Sequence, residues 1–346
     1  MARGLSYPSL TRVLERLEAN KRSLLVAHSP FLQKFDRAIP LHLDYLSFDD
    51  HRITVNDVSF HFTKRERLLS RDKVHNVDYY LKDTWIGSTR LPEGLSSEMA
   101  MKKLACHFFE KRMDIKIRKL RILTTNNVLS LPAGAKFKIT EFEIAENDLN
   151  VLEPLIHTSS LPLKVLKLGR WRDEYDENSV VGSAETLVLD ASLIGDLIVP
   201  LLMTIRHRCI KVEGADFSEQ SISTVVRNIQ EDKREVGSSL TWSVKDEEFM
   251  HKLMGNLNKV FNGKWADPQE VEETLPTSDI LCISLNDTSE ILIYGIMDNG
   301  PCVKIQVVQI GSSILVPENE LFHNPQEAPA DLFVDYAFSK NLILNY

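Results

Sequence analysis

The run Arg170-Trp171-Arg172, followed by Asp173, Glu174, Tyr175, Asp176 and Glu177, is the first candidate for recognition in this chain. Arginine and large aromatic side chains are enriched where proteins grip one another, so Arg170, Trp171, Arg172 and Tyr175 are taken as candidate target-binding residues. The alternative is a solvated loop with Trp171 folded onto the core, since single surface aromatics need no function. The carboxylates from Asp173 to Glu177 could be imagined as an acid-base pair or a cation site. No partner base or second ligand cluster is spaced to join them.

Other chemistry is sparse. The sequence carries no Gly-rich phosphate loop, no GxSxG elbow, no HExxH helix and no paired Cys-His spacing, so no catalytic residue, cofactor or metal is expected. Its ten histidines are scattered. His51 and His61 could flank one hairpin, and His207 sits between Arg206 and Arg208 at an expected helix end, where a cation is favourable. Cys106, Cys209, Cys282 and Cys302 lie far apart and read as reduced, partly buried thiols; Cys282 and Cys302 could face each other across C-terminal strands.

A net charge of -8 disfavours nucleic acid and membrane surfaces, which select clustered Lys and Arg in net excess. The most basic stretch, Lys111 to Arg121, interleaves its charges with Met113, Ile115, Ile117 and Leu120, as the exposed face of a strand would. The greasiest stretch, Leu197 to Ile205, is broken by Pro200 and too short to span lipid. Met1-Ala2-Arg3-Gly4 lacks the apolar core of a signal peptide, so the expected location is the cytoplasm or nucleus.

The elements that would position these residues follow from periodicity. Leu10, Val13, Leu14 and Leu17 recur at helical spacing after Pro8; a second helix is expected from Lys21 to Ala27 and a third short turn carries Phe31, Leu32 and Phe35. From Leu41 the period changes to two, predicting a small strand pair around Asn56-Asp57, and the polar stretch Lys64 to Gly94 reads as a loop or linker. Ser97 to Met113 is expected to be a helix burying Met101, Leu104, Ala105, Phe108 and Phe109. Beyond it, strands at Ile115–Leu123, Phe137–Ile144, Leu163–Leu168, Thr186–Leu189 and Ile210–Glu213 alternate with helical segments every 21 to 25 residues or so, an interval within the range of leucine-rich-type repeats. Ser239 to Val244 and a helix from Asp246 to Phe261 continue the rhythm, with Trp242 and Trp265 assigned to the core. Ile280–Leu285, Ile291–Ile296 and Val303–Ile310 predict an antiparallel meander capping the stack.

The N-terminal pattern Leu5, Pro8, Leu10, Val13, Leu14, Leu17, Arg22, Leu25, Ser29, Phe31, Leu32 resembles an F-box. The runs Ile39-Pro40-Leu41-His42-Leu43, Lys103 to Phe109 and Leu131 to Ile139 resemble the nematode F-box C type family. That resemblance implies an F-box-like helical segment, placed over 1–40, followed by a substrate-recruiting body; with the periodicities above, the expected α/β architecture continues as a strand pair and linker over 41–94, a leucine-rich-repeat-like strand-helix body over 95–275 and an antiparallel cap over 276–346. It further implies a non-enzymatic substrate-recognition subunit of a cullin-based ubiquitin ligase. In it Leu5, Pro8, Leu10, Val13, Leu14, Leu17, Leu25 and Phe31 would serve a Skp-type adaptor. The alternative is a stand-alone scaffold or inhibitor, for example an antidote to a toxin or pathogen protein, that recruits no adaptor.

Overall fold

The structure is a computed structural model that describes residues 7–27, 29–66, 73–112, 114–124, 131–214, 217–266, 280–298 and 300–310. It is a mixed α/β chain whose two compact units divide between Leu163 and Lys164. The 95–275 body expected as one domain is therefore shared between both units.

The first unit begins with α1 (Tyr7–Arg16), α2 (Ala19–Ala27) and α3 (Pro30–Ala38). Five strands follow, β1 (Leu41–Asp49), β2 (Arg52–Val55), β3 (Val58–Glu66), β4 (Lys73–Leu81) and β5 (Thr84–Arg90), then α4 (Ser97–Phe109), β6 (Ile115–Ile122), β7 (Lys138–Ile144) and the short α5 (Leu149–Leu152). The strand order is β7-β6-β1-β2-β3-β4-β5. β6 is parallel to both β1 and β7, whereas β1 to β5 pair antiparallel in succession.

The strands β4 and β5 overturn the expectation of a linker over 64–94. Their pattern is hidden because Asp78, between the buried Val77 and Tyr79, is itself buried and accepts from Thr63, so with Asn76 the strand reads as a polar run. The hairpin turn is Lys82-Asp83, both at positive φ (47° and 64°), rather than the Asn-Gly pair that usually advertises such a turn. Across this sheet lies α4, started by Ser96, whose hydroxyl accepts from the Met99 amide at 3.2 Å. Phe108 and Phe109 are buried, and edge-to-face pairs link Phe108 to Phe60, Phe60 to Tyr79, and Phe109 to Phe48 and Phe137. Each such ring contributes ~1.5–3 kcal/mol by burial, with ring geometry adding to it.

In the second unit, β8 (Val165–Leu168), α6 (Ser179–Ser183), β9 (Thr186–Asp190), α7 (Val199–Thr204), β10 (Cys209–Glu213), α8 (Glu219–Asp232) and β11 (Ser239–Ser243) alternate, and the four strands are mutually parallel. Alternation puts Leu166, Leu168, Leu187, Leu189, Ile210, Val212, Leu240 and Trp242 in the core, where all are buried. The helices expected over Asp148–Ile156 and Gly195–Arg206 are shorter than periodicity suggests. Pro154 and Pro200 each sit at a junction between an α-turn and a 3-10 turn, where a missing amide is tolerated.

α9 (Glu247–Phe261) and β12 (Lys264–Ala266) lead to the meander β13 (Ile280–Ser284), β14 (Ser289–Met297) and β15 (Pro301–Gln309). β15 pairs antiparallel with β11 and so ends the parallel run, giving the order β12-β13-β14-β15-β11-β10-β9-β8. Trp242 is core as expected, but Trp265 is half exposed because β12 is a three-residue edge strand with one neighbour. Cys282 lies opposite Leu292 and Cys302 opposite Ile296, so the two thiols share one apolar cluster without facing each other.

Candidate interaction sites

The N-terminal helices separate the adaptor candidates into two groups. Leu14, Val26 and Ile39 close a small core, with Leu10, Leu17 and Leu32 packed against it. Leu14 is fully buried and therefore serves the segment itself rather than a partner. Val13, Leu25 and Phe31 point outward, 42%, 45% and 63% exposed, and Pro8 is exposed beside them in sequence. Leu5 lies outside the described residues. Phe31 stacks edge-to-face on Phe35 at 4.4 Å, which orders the most exposed ring of the segment. Ser29 caps α3, its hydroxyl accepting from the Leu32 amide, and Pro30 supplies the first-turn angle.

Two polar networks fix this segment to the sheet. At one end the Glu18 carboxylate accepts from the Asn20 and Lys21 amides at 2.9 and 3.2 Å, capping α2, and from the Asn56 side chain in the β2–β3 turn at 2.7 Å. Asn20 donates to the Val55 carbonyl at 2.9 Å, and the Asn56 side-chain oxygen accepts from the Asp44 and Tyr45 amides. At the other end the buried Asp36 carboxylate takes the guanidinium of Arg22 on one oxygen and that of Arg112 on the other. Arg22 also donates to the carbonyls of Pro40, Asp36 and Ile39, and Arg112 to those of Phe108 and Asp36. Burial, opposed in part by Asp36, holds Arg112 below its usual pKa; an arginine stays charged regardless.

Beside them Ser23 Oγ and His107 Nε2 share a 2.7 Å hydrogen bond. Burial and then the Arg112 charge push His107 down to about 4, so the ring is neutral at physiological pH. None of this lock was legible in sequence. In sequence Arg22 stands out only within the F-box-like pattern, and nothing in the spacing pairs it with Asp36 or Arg112. A groove of about 320 Å³ between α3 and α4 is lined by Arg37, Met99, Lys102, Lys103, Cys106, His107 and Glu110, giving this face three cations and one carboxylate.

The target-binding candidates also divide. Arg170 is exposed and Trp171 half-buried, its ring edge-on to Tyr175 at 5.9 Å. Tyr175 is only 1% exposed, so it is a core residue that holds Trp171 rather than a contact for a target. Arg172 is half-buried and pairs with Glu174 at 3.7 Å. The loop thus offers Arg170, one face of Trp171 and a carboxylate-rich 3-10 turn, Asp173–Glu177.

Nearby strands carry a network that sequence reasoning missed. Glu213 on β10 accepts from Lys167 on β8 at 2.8 Å and from Lys211 at 3.0 Å, while Lys211 reaches Asp298 at 2.9 Å. Val188 on β9 pairs with both Lys167 and Lys211 in register and is buried between them. Burial opposes the charge on Lys211, but Asp298 and Glu213 outweigh it and raise its pKa. Likewise burial would raise Glu213, yet Lys167 and Lys211 draw it below the usual carboxylate value. Alternating Lys and Glu along β-strands is the signal that could have found this face. Among the described residues no cluster of His, Cys, Asp and Glu could hold a metal, and no helix is long and apolar enough to cross a membrane.

A family model described as a domain of unknown function, DUF3557, matches residues 96–246. The match runs from the cap of α4 to the cap of α9, Ser96 to Asp246, and leaves out α1–α3. No curated protein and no solved structure matches the chain.

Proposed function

We propose that this chain is a recognition protein, the substrate-binding subunit of a cullin-based ubiquitin ligase: α1–α3 form an F-box-like segment that docks a Skp-type adaptor, and the leucine-rich-repeat-like strands of the second unit, with the Arg170–Arg172 loop, hold a target protein. The observation that carries this reading is the outward placement of Val13, Leu25 and Phe31 on helices whose own core is already closed by Leu14, Val26 and Ile39. Large apolar side chains left in water on a short, ordered segment are the usual anchors of a helix-mediated interface. The cationic groove beside α3 adds selectivity for an adaptor carrying acidic side chains. Catalysis by the chain is not required, because tethering a target near a ubiquitin-charged enzyme raises its effective concentration.

The test is co-purification of the full chain with a Skp-type adaptor, comparing the native protein with Leu25→Asp/Phe31→Asp. Both positions are exposed, so the variant is expected to fold and to lose the adaptor. Failure of the native chain to bind sinks the ligase reading and leaves a stand-alone scaffold or inhibitor.

A further inference from the structure

A second cavity, of about 330 Å³, lies between the ends of α7 and α8, where the chain turns into β10 and β11. Its lining is dominated by charge: Arg206 and Arg208 come from the first turn, Lys233 and Arg234 from the second. Against these four cations stand two carboxylates, Asp232 and Glu235. Asp232 is committed to Arg206 at 2.6 Å, and among the described residues no carboxylate pairs with Arg208, Lys233 or Arg234.

His207, which also lines the cavity, adds no charge. Burial holds its pKa below the usual value, although Nε2 lies 2.9 Å from the Ala184 carbonyl and Nδ1 lies 2.9 Å from the carbonyl and 3.2 Å from the amide of Cys209. The helix ends would ordinarily repel an anion through their free carbonyls. Arg234 answers this by donating to the Leu202 and Ile205 carbonyls at the end of α7, and its Nε is buried with no hydrogen-bond partner among the described residues. A cavity lining with two net positive charges is an electrostatic deficit that an oxyanion fills. The Arg208 guanidinium lies over Gly237, where a Cβ would come within 2.6 Å of its Nη2, and its Nε donates to the Gly237 carbonyl at 3.4 Å.

We propose that this cavity binds a phosphate dianion, free or as a phosphate monoester. The guanidinium of Arg208 and the uncommitted Nη1 of Arg234 donate to its oxygens, and Lys233 supplies a point charge. A cavity at the small end of the ~300–1,000 Å³ range of ligand pockets suits one such group rather than a nucleotide.

Calorimetric titration of the full chain with inorganic phosphate, and with a short phosphoserine peptide against its unphosphorylated form, tests the site. One saturable site is expected, weakened at least tenfold in Arg208→Gln/Lys233→Gln. Both positions are exposed, so the melting curve of that variant should match the native one. Arg234→Lys, which keeps the charge but cannot both hold the Leu202 and Ile205 carbonyls and reach the cavity, should also weaken binding. Tighter binding of the phosphopeptide than of phosphate identifies a phosphorylated protein as the source; equal or weaker binding identifies free phosphate. No saturable uptake of either probe, or native affinity in the double variant, overturns the proposal.

Discussion

Replacing Asp36 by Ala removes the one carboxylate that compensates two guanidinium groups, both on arginines whose side chains are at most 5% exposed. Breaking a buried ion pair from one side costs ~3–5 kcal/mol, because the remaining charge keeps its desolvation penalty without its partner. Here two charges are stranded together, which places the expected cost in the upper part of that range. The loss should be local. Arg22 ties α2 to α3 and to the strand entry at Pro40, while Arg112 ties the end of α4 to the same carboxylate. Hydrogen exchange read by peptide is the suitable assay, since two units need not unfold together. Amides of α1–α3 and the end of α4 should exchange roughly 10³-fold faster or somewhat more, at ~1.4 kcal/mol per tenfold. Those of α8 and α9 should be unchanged. Exchange in α1–α3 within threefold of native would refute the view that this triad fastens the helical segment.

Other outcomes follow from the same geometry. Leu14→Ala should destabilise the first unit by ~2–5 kcal/mol in urea unfolding, the range for a fully buried leucine, whereas Phe31→Asp should stay within about 0.5 kcal/mol. For His107 the folded pKa, about 4, lies below the usual 6.5, so its contribution to stability is complete above pH 6.5 and lost as pH falls toward 4. Linkage gives ~2 kcal/mol lost between pH 7.5 and 5, and His107→Gln, which keeps a hydrogen bond to Ser23, should flatten that part of the urea-midpoint profile. Lys211→Met should let Glu213 titrate at higher pH by carboxyl NMR, because one of its two ammonium partners is gone.

Legibility from sequence depended on whether the stabilising contact is periodic or particular. The helix over Ser97–Phe109 and the strands β8 to β11 were readable because burial repeats at a fixed interval, and side chains such as Leu104 or Leu187 need only be apolar to be placed. The strands β4 and β5 were not, since Asn76 and the buried Asp78 interrupt the apolar alternation and the Lys82-Asp83 turn lacks the glycine that usually marks such a turn. For the adaptor candidates, Leu10, Val13, Leu14 and Leu17 look alike in a pattern, yet Leu14 is buried and Val13 exposed. Which side of a short helix meets the body depends on the tertiary fixings at Asn20, Arg22 and Asp36, and those pairings link residues up to 76 positions apart. Tyr175 failed for the related reason that an aromatic ring in a polar run is as readily a plug as a contact.

These fixings also decide what kind of handle the N-terminal helices make. A segment joined to its body by a linker would let a partner hold it while the sheet turned freely. Here α2 is pinned at its start through Glu18 and Asn20 to the β2–β3 turn, and at its middle through Arg22 and Ser23 to α3 and α4. Two attachments on one nine-residue helix remove rotation about either. A partner gripping Leu25 and Phe31 therefore grips the sheet of the first unit as well. If α1–α3 dock an adaptor as proposed, its binding should slow exchange in α1–α3 by covering them while leaving β1 to β3, already ordered, unaltered. Substituting Asp36 should weaken adaptor binding even though Asp36 itself is buried and touches no partner, since the outward side chains lose the frame that presents them.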